Sequence, residues 1–147
     1  MDTTYQSHGV RFRYPSDWEL TEQRTDEQLS ITVSSPLTAF WTLCLFPDCP
    51  APEDVAQTVL DVFHEEYSEV DDYPSKERVG KRPTVARDID FVCLDVINLA
   101  GVRAFRNPEF TVMVMFQLTA AESEETKPIL DKITRSLAFP SRKADEE

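Results

Sequence analysis

The segment 109–118 constrains the fold of this chain more than any other part of the sequence. Read at the two-residue period of a β-strand, it is apolar on one side, and two methionines add apolar surface to the other side. A strand that is apolar on both faces belongs in the middle of a sheet that is covered on both sides. The first face comprises Phe110, Val112, Val114, Phe116 and Leu118, and the second comprises Met113 and Met115. We therefore predict a central strand here, with a layer above it and a layer below it.

Alternating apolar and polar residues predict most of the other strands. A second segment, 38–46, is also apolar on both faces, so we expect it near the middle of the sheet. Residues 5–9 have the composition of a tight turn leading into a strand, and residues 71–83 have that of a surface connection. The remaining strands are predicted at residues 10–14, from residue 18 onward, and at 28–34, 85–96 and 98–106, with a break between 95 and 98.

A helix of about four turns is predicted after Pro52, which suits a first helical turn. Glu53 and Asp54 favour the positive end of its dipole. Its apolar positions recur at a spacing of three to four residues, which is typical of a helix with one buried face. The apolar stripe comprises Val55, Val59, Val62, Phe63 and Tyr67, with Leu60 beside it, and the opposite side carries Asp54, Asp61, Glu65 and Glu69.

A second helix is predicted near the end of the chain, with Ile129, Ile133 and Leu137 on one face. Pro128 implies that this helix either starts near Thr126 or has a bent first turn. The order is then strands, helix, strands, helix. Strands that follow one another without a helix between them pair antiparallel, so the predicted class is α+β. We expect a single domain over residues 4–139 and a disordered tail over residues 140–147.

Two short sequence patterns resemble those of Mog1/PsbP-like domains. The first is Tyr5 followed by VRFRYPSDW at residues 10–18, where an early strand ends in a proline and a tryptophan follows. The second is ITRSLAF at residues 133–139, a last helix that ends in a short apolar stretch. The resemblance implies an antiparallel β-sheet sandwiched between helices. Proteins of this fold include a Ran GTPase-binding protein, an extrinsic photosystem II subunit and cytosolic chaperones for bacterial secreted effectors, and none of their functional motifs is found here.

The formal net charge of −12 argues against binding to nucleic acid or to anionic membranes, because both require clustered lysine and arginine. The polar, acidic N-terminus lacks the basic and apolar regions of a signal peptide. Three cysteines are an odd number, and reduced thiols in a cytoplasm are the simplest interpretation. We therefore expect a cytoplasmic protein.

Residues that could carry chemistry are few. Cys44, Cys49, Cys93 and His64 could in principle supply four zinc ligands, but Cys44 lies inside an apolar strand and the spacing is unlike that of a structural zinc site. His64 could also pair with Cys49 as a nucleophile, although neither a glycine elbow nor an oxyanion motif accompanies them. The sequence thus predicts no catalytic residue, no metal site and no cofactor, and the protein is not expected to be an enzyme.

Polar residues of the late strands form the remaining candidate site. A binding groove built from them is one interpretation, and a polar rim of cross-strand charge pairs is the other. The groove residues would be Asp88, Asp95, Asn98, Arg103 and Gln117, with Asp90 and Arg106 nearby.

Two hypotheses about function follow. The first is a non-catalytic interaction module, adaptor or chaperone-like, whose partner carries a basic surface and docks on the acidic helix and the sheet. The acidic side of that helix can also serve solubility without any partner. The second hypothesis is a small-ligand or enzymatic pocket between the sheet and a helix, using the polar residues of the late strands.

Overall fold

The computed structural model describes residues 1–80 and 82–140. Two β-hairpins turn through two residues each, and both residues of each turn have positive φ: His8 (54°) with Gly9 (79°), and Leu94 (51°) with Asp95 (64°). The elements in chain order are β1 (Asp2–Ser7), β2 (Val10–Pro15), β3 (Glu19–Arg24), β4 (Leu29–Ser34), β5 (Phe40–Phe46), α1 (Pro52–Glu66), β6 (Val70–Pro74), β7 (Val85–Cys93), β8 (Val96–Arg106), β9 (Thr111–Thr119), a short 3₁₀ turn (Ala120–Glu122) and α2 (Ser123–Ser136).

Seven strands form one antiparallel sheet in the order β3-β4-β5-β9-β8-β7-β6. The predicted central strand is therefore confirmed, since β9 lies fourth of the seven and pairs with β5 on one side and β8 on the other. The other segment predicted to be apolar on both faces forms β5, which is its neighbour. Trp41 lies opposite Phe116 and Leu43 opposite Val114, so both strands present their larger apolar side chains to the same face.

Helix α1 covers the other face of the sheet. Its buried residues are Val55, Ala56, Leu60 and Phe63. They pack against Val102, Ala104 and Met113 in one cluster and against Ile89, Phe91 and Ala100 in a second. The contacts of α1 are with β8, β7, β9 and β6, so α1 lies over the late half of the sheet.

Helix α2 and the β1–β2 hairpin cover the face that carries Trp41 and Phe116. Leu130 and Ile133 of α2, with Val10 and Phe12 of β2, join the largest apolar cluster. The ring of Phe12 lies 4.8 Å from that of Trp41, and the Trp41 indole N–H donates to the Thr134 hydroxyl at 2.9 Å. The sheet therefore lies between two layers, as predicted, and the α+β class is confirmed.

Several element predictions were wrong. The segment predicted as a surface connection begins with an edge strand, because β6 pairs with β7 over Val70–Pro74. The tight turn predicted over residues 5–9 leads into a strand as expected, but only His8 and Gly9 form it, and the chain as far as Ser7 belongs to β1. Helix α2 begins at Ser123 and continues through Pro128, so the first of the two alternatives for this helix, a start near Thr126, is wrong. The predicted disordered tail, apart from Pro140, lies outside the described residues.

The apolar stripe of α1 is shifted relative to its prediction. Val62 is 45% exposed, whereas Leu60 is buried. Ala56, Leu60 and Phe63 face the sheet, and residues 55, 59 and 62 lie along one flank of the helix, where burial decreases toward Val62.

Candidate interaction face

Helix α1 leaves part of its side of the sheet open. Strands β3, β4 and most of β5 lie beyond the helix, so on this side the side chains of β3 are exposed and those of Ser30, Thr32 and Thr42 are half-buried. We call this surface the open face and define it by the residues that point away from α2 on β4 and β5, namely Ser30, Thr32, Ser34, Phe40 and Thr42. It is rich in hydroxyl groups and carries no charged residue on these two strands.

Hydrogen bonds between neighbouring side chains hold the open face in place. The hydroxyls of Thr32 and Thr42 are 3.0 Å apart across the β4–β5 pair. Gln28 donates its side-chain amide to the Ser30 hydroxyl at 3.0 Å, and that hydroxyl lies 3.5 Å from the Cys44 sulfur. A surface whose polar side chains are already oriented loses less conformational entropy on binding than a mobile one does.

A groove runs between α1 and β5 at the border of the open face. It has a volume of about 320 Å³ and is mainly apolar. Phe46 and Met113 form its floor on the sheet side, and Val55 and Val59 form its wall on the helix side. We call this the α1 groove. Val62 extends the same apolar flank of the helix toward solvent.

Three acidic residues stand on the outer side of α1, as predicted. Asp54, Asp61 and Glu65 are all exposed, and Asp54 also lines the α1 groove. Gln57 donates its side-chain amide to Asp61 at 2.9 Å, and none of the three forms a salt bridge with a residue that the structure describes. We call these three residues the acidic strip.

The fourth residue predicted for this strip, Glu69, does not lie on the helix. Helix α1 ends at Glu66, and the extended backbone of Tyr67 turns the chain toward β6. Glu69 is exposed in this connection, and its carbonyl accepts a hydrogen bond from the Val92 amide at 3.2 Å. The helical spacing continues past residue 66 in the sequence, but the chain there pairs with β7 instead.

The five residues predicted for a polar groove do not share one surface. Asp88 and Arg103 meet on the α2 side of the sheet, where Arg103 Nη2 lies 2.8 Å from an Asp88 carboxylate oxygen. Asn98 and Gln117 belong to the opposite face, since they alternate with residues that point toward α2. Asp95 lies in the turn between β7 and β8. The prediction of a groove made of all five residues is therefore wrong.

Arg103 is buried, with 2% of its surface exposed. It donates to Glu77 from both Nε (3.1 Å) and Nη2 (2.7 Å), and from Nη1 to the carbonyls of Arg87 (2.9 Å) and Val102 (3.2 Å). With the bond to Asp88, every nitrogen of the guanidinium has a partner. Arg103 therefore has no donor left for a ligand and acts as a structural anchor for the segment that carries Glu77.

Residues that the sequence did not single out complete this anchor. Lys127 of α2 lies 3.6 Å from Glu77 and 4.8 Å from the centre of the Phe116 ring. Burial raises the pKa of Glu77, but the hydrogen bond and charge of Arg103 and the charge of Lys127 outweigh it, so the pKa lies below its usual 4.5. Glu77 lies in a connecting segment without periodicity, so no pattern in the sequence pointed to it.

His64 is exposed on α1, but its side chain is paired. Its Nε2 lies 2.7 Å from a carboxylate oxygen of Asp72 on β6, and Arg87 contacts the other oxygen. The hydrogen bond from His64 is the main cause that lowers the pKa of Asp72, and that from Arg87 is the second. The contact ties α1 to the edge of the sheet.

The three cysteines lie apart. Cys44 is buried on β5, and burial raises the pKa of its thiol. Cys49 follows β5 in a backbone conformation with positive φ, and Cys93 ends β7. Within the described residues, no three histidine, cysteine or acidic side chains are grouped closely enough to hold a metal ion. No helix in that part of the chain is long and apolar enough to cross a membrane.

Neither a family model nor a curated protein matches the chain by sequence. The chain is similar to several solved structures, among them three whose alignments each cover 95% of this chain. LpqN of Mycobacterium tuberculosis, involved in cell envelope biogenesis, has a TM-score of 0.58 at 12% identity, over 91% of its own chain. PA94 of Pseudomonas aeruginosa, a protein of unknown function and putative regulator, has a TM-score of 0.54 at 13% identity, over 98% of its chain.

The third similar structure is the cyanobacterial PsbP, CyanoP, of Synechocystis sp. PCC 6803. Its TM-score is 0.54 at 13% identity, and the alignment covers 92% of its chain. At these identities the similarity concerns the fold, and the three proteins differ in what is known of their roles. The chain has the Mog1/PsbP-like fold.

Proposed function

We propose that this protein is a non-catalytic interaction module, and that its partner is a protein with a basic surface and an apolar anchor residue. The proposal is carried by one observation: Asp54 of the acidic strip and Gln28, which donates to Ser30 of the open face, both line the α1 groove. A partner seated there would place an apolar side chain against Phe46, Val55 and Met113. Its basic residues would meet Asp54, Asp61 and Glu65.

The arrangement matches the usual anatomy of a protein interface. Such an interface has an apolar core surrounded by polar and charged groups, and complementary charge increases the association rate and selects the partner. The acidic strip contributes little to the stability of the domain, because exposed charges of the same sign repel one another weakly in water. Substituting it should therefore change binding without changing the fold.

The alternative of a ligand or enzymatic pocket among the late strands receives less support. Its central residue, Arg103, uses all its donors within the protein, and the other polar residues face different directions. The interaction module is therefore the function that we put forward.

The test compares three forms of the protein as immobilised bait in extract of the native cells. The variant Asp61→Lys with Glu65→Lys reverses the acidic strip. Asp17→Lys with Glu125→Lys makes the same change in net charge at exposed positions away from the groove. We expect one protein to be retained by the wild type and by the control variant and lost from the strip variant.

The retained protein is then purified and titrated against the three forms by calorimetry. Its affinity should fall steeply between physiological salt and about 1 M salt, where the Debye length is only about 3 Å. The proposal is wrong if every retained protein binds all three forms equally, or if the affinity is independent of salt.

A further inference from the structure

A second cleft lies on the opposite side of the molecule, between β2 and the C-terminal half of α2. Its volume is about 490 Å³, which exceeds that of the α1 groove and lies within the range of roughly 300–1,000 Å³ typical of small-molecule sites. Three of its lining residues are cationic, namely Arg13, Lys132 and Arg135. Asp2 is the acidic residue that lines it.

This concentration of positive charge is unusual for the chain, which has 27 acidic and 15 basic residues. Neither Arg13 nor Arg135 forms a salt bridge with any residue in the described ranges, and Lys132 lies 3.7 Å from Asp2. Lys132 and Arg135 suit the negative end of the α2 dipole. That effect does not account for Arg13, which comes from a different element and lines the same cleft.

The backbone holds the two walls of the cleft together. The Arg13 amide donates to the Ser136 hydroxyl at 2.9 Å, and that hydroxyl lies 3.3 Å from the Arg13 carbonyl. One residue pair farther along, Arg11 and Ala138 exchange two backbone hydrogen bonds of 2.9 and 2.8 Å. The backbone segments that carry the cationic side chains are therefore held together by hydrogen bonds.

Apart from Ser136, the remaining lining is mainly apolar. Ile129 and Ile133 line the helix side and Tyr14 lines the strand side. Ile133 is buried, whereas Ile129 and Tyr14 are half-buried and extend the main apolar cluster toward the cleft. Cationic groups beside apolar surface suit a ligand that has an anionic head and an apolar body.

We infer that this cleft binds a small amphipathic organic anion, a phosphate ester or carboxylate with a short apolar chain. Arg13 and Arg135 would hold the anionic group by charge-assisted hydrogen bonds, which are the stronger class of hydrogen bond. Lys132 would add charge, and Ile129 would cover the apolar chain. This site is independent of the proposed interaction face, since the two have no lining residue in common.

Calorimetric titration with three probes tests the inference: octyl phosphate, inorganic phosphate and octyl glucoside. Octyl phosphate carries both features of the ligand, and each of the other probes carries one. We expect saturable binding of octyl phosphate with one site per chain, and binding of the other two at least about tenfold weaker.

Two variants locate the site. Arg13→Gln with Arg135→Gln should weaken octyl phosphate binding about tenfold or more, because a hydrogen bond to a charged group contributes roughly that factor. Arg78→Gln with Arg106→Gln removes the same charge from exposed positions outside the cleft and should leave binding unchanged. Equal loss in both variants, equal binding of octyl glucoside, or no saturable binding of octyl phosphate would overturn the inference. Thermal melting of both variants checks that each is folded.

Discussion

Arg103 gives a charged side chain a structural role inside the sheet. Its guanidinium carbon lies 5.4 Å from the centre of the Phe116 ring. The same ring leaves no room for a larger side chain at position 101. A Cβ added to Gly101 would lie 2.4 Å from the Phe116 ring. Glycine at 101 therefore allows the aromatic ring and the buried arginine to share one layer of the core.

Replacing Arg103 with methionine should lower the free energy of unfolding by about 3 kcal/mol. The change leaves two carbonyls and two carboxylates without their donor, and removing one partner of a buried ion pair costs roughly 3–5 kcal/mol. We expect a loss at the low end of this range because Glu77 and Asp88 are partly exposed. Urea denaturation measures this change in the free energy of unfolding. An ordinary surface substitution changes it by less than about 0.5 kcal/mol, so a loss in that range would contradict the anchoring role.

The paired carboxylates also predict how stability depends on pH. Asp72 and Glu77 both have pKa values that are lower in the folded protein than their usual 3.8 and 4.5. A group of this kind contributes its full stabilisation above the unfolded pKa and loses it as the pH falls through the folded pKa. The free energy of unfolding should therefore decrease as the pH falls below 4.5.

The variant Asp72→Asn isolates one of these contributions. At neutral pH it should be less stable than the wild type, because His64 and Arg87 lose their charged partner. The difference should shrink as the pH falls below 3.8 and through the lower pKa of the folded carboxyl, where the wild-type side chain also becomes protonated. Urea titrations across this range measure the difference, and one that stays constant with pH would show that the pair contributes nothing through its charge.

At the scale of elements, the sequence predicts the helices and strands whose apolar periodicity results from burial. The two-sided apolar pattern of β9 and the apolar stripe of α1 both reflect contact with a covering layer, so both elements could be placed. Strand β6 was missed because Asp71 and Asp72 have low strand propensity, and its pairing with β7 is a tertiary effect. Helical spacing predicted the positions of the acidic strip as far as the end of α1, and it failed for Glu69, which lies beyond that end.

The polar groove was predicted wrongly. Asn98 and Arg103 are five residues apart on one strand, so the two-residue period alone places them on opposite faces of the sheet. Whether Asp88 of β7 shares a face with Arg103 depends on strand register, and register depends on where the β7–β8 turn lies. The sequence indicated a break between 95 and 98, whereas the turn is formed by Leu94 and Asp95. A shift of one residue in the turn sends every following side chain to the other face.

The β7–β8 turn itself carries a residue poorly suited to its backbone. Leu94 has a φ of 51°, in the left-handed region that costs most L-residues roughly 1–2 kcal/mol. Its side chain is 92% exposed, so packing offsets little of this cost. Leu94→Asn should therefore raise the free energy of unfolding by about 1 kcal/mol, because asparagine is favoured in such turns. Chemical denaturation measures the change, and a destabilised variant would mean that Leu94 makes contacts which outweigh its backbone strain.

At the scale of the whole molecule, the sheet separates two surfaces of different character. On one side, the acidic strip and the open face border an apolar groove. On the other side, cationic residues of β2 and α2 surround a larger cleft. The net charge of −12 therefore conceals an uneven distribution. The two surfaces have no lining residue in common, so the protein partner and the small anion that we propose would not compete for the same residues.

The most direct test of the proposed interaction face is to map the backbone amide shifts of the isotope-labelled protein by NMR as the purified partner is added. We predict that the largest changes occur at Ser30, Thr32 and Phe46 and along the outer side of α1 near Asp61. Residues of β2 and α2, such as Arg13 and Arg135, should change little. If the changes instead cluster on β2 and α2, or at the late strands around Asp88, the partner binds elsewhere and the proposed face is wrong.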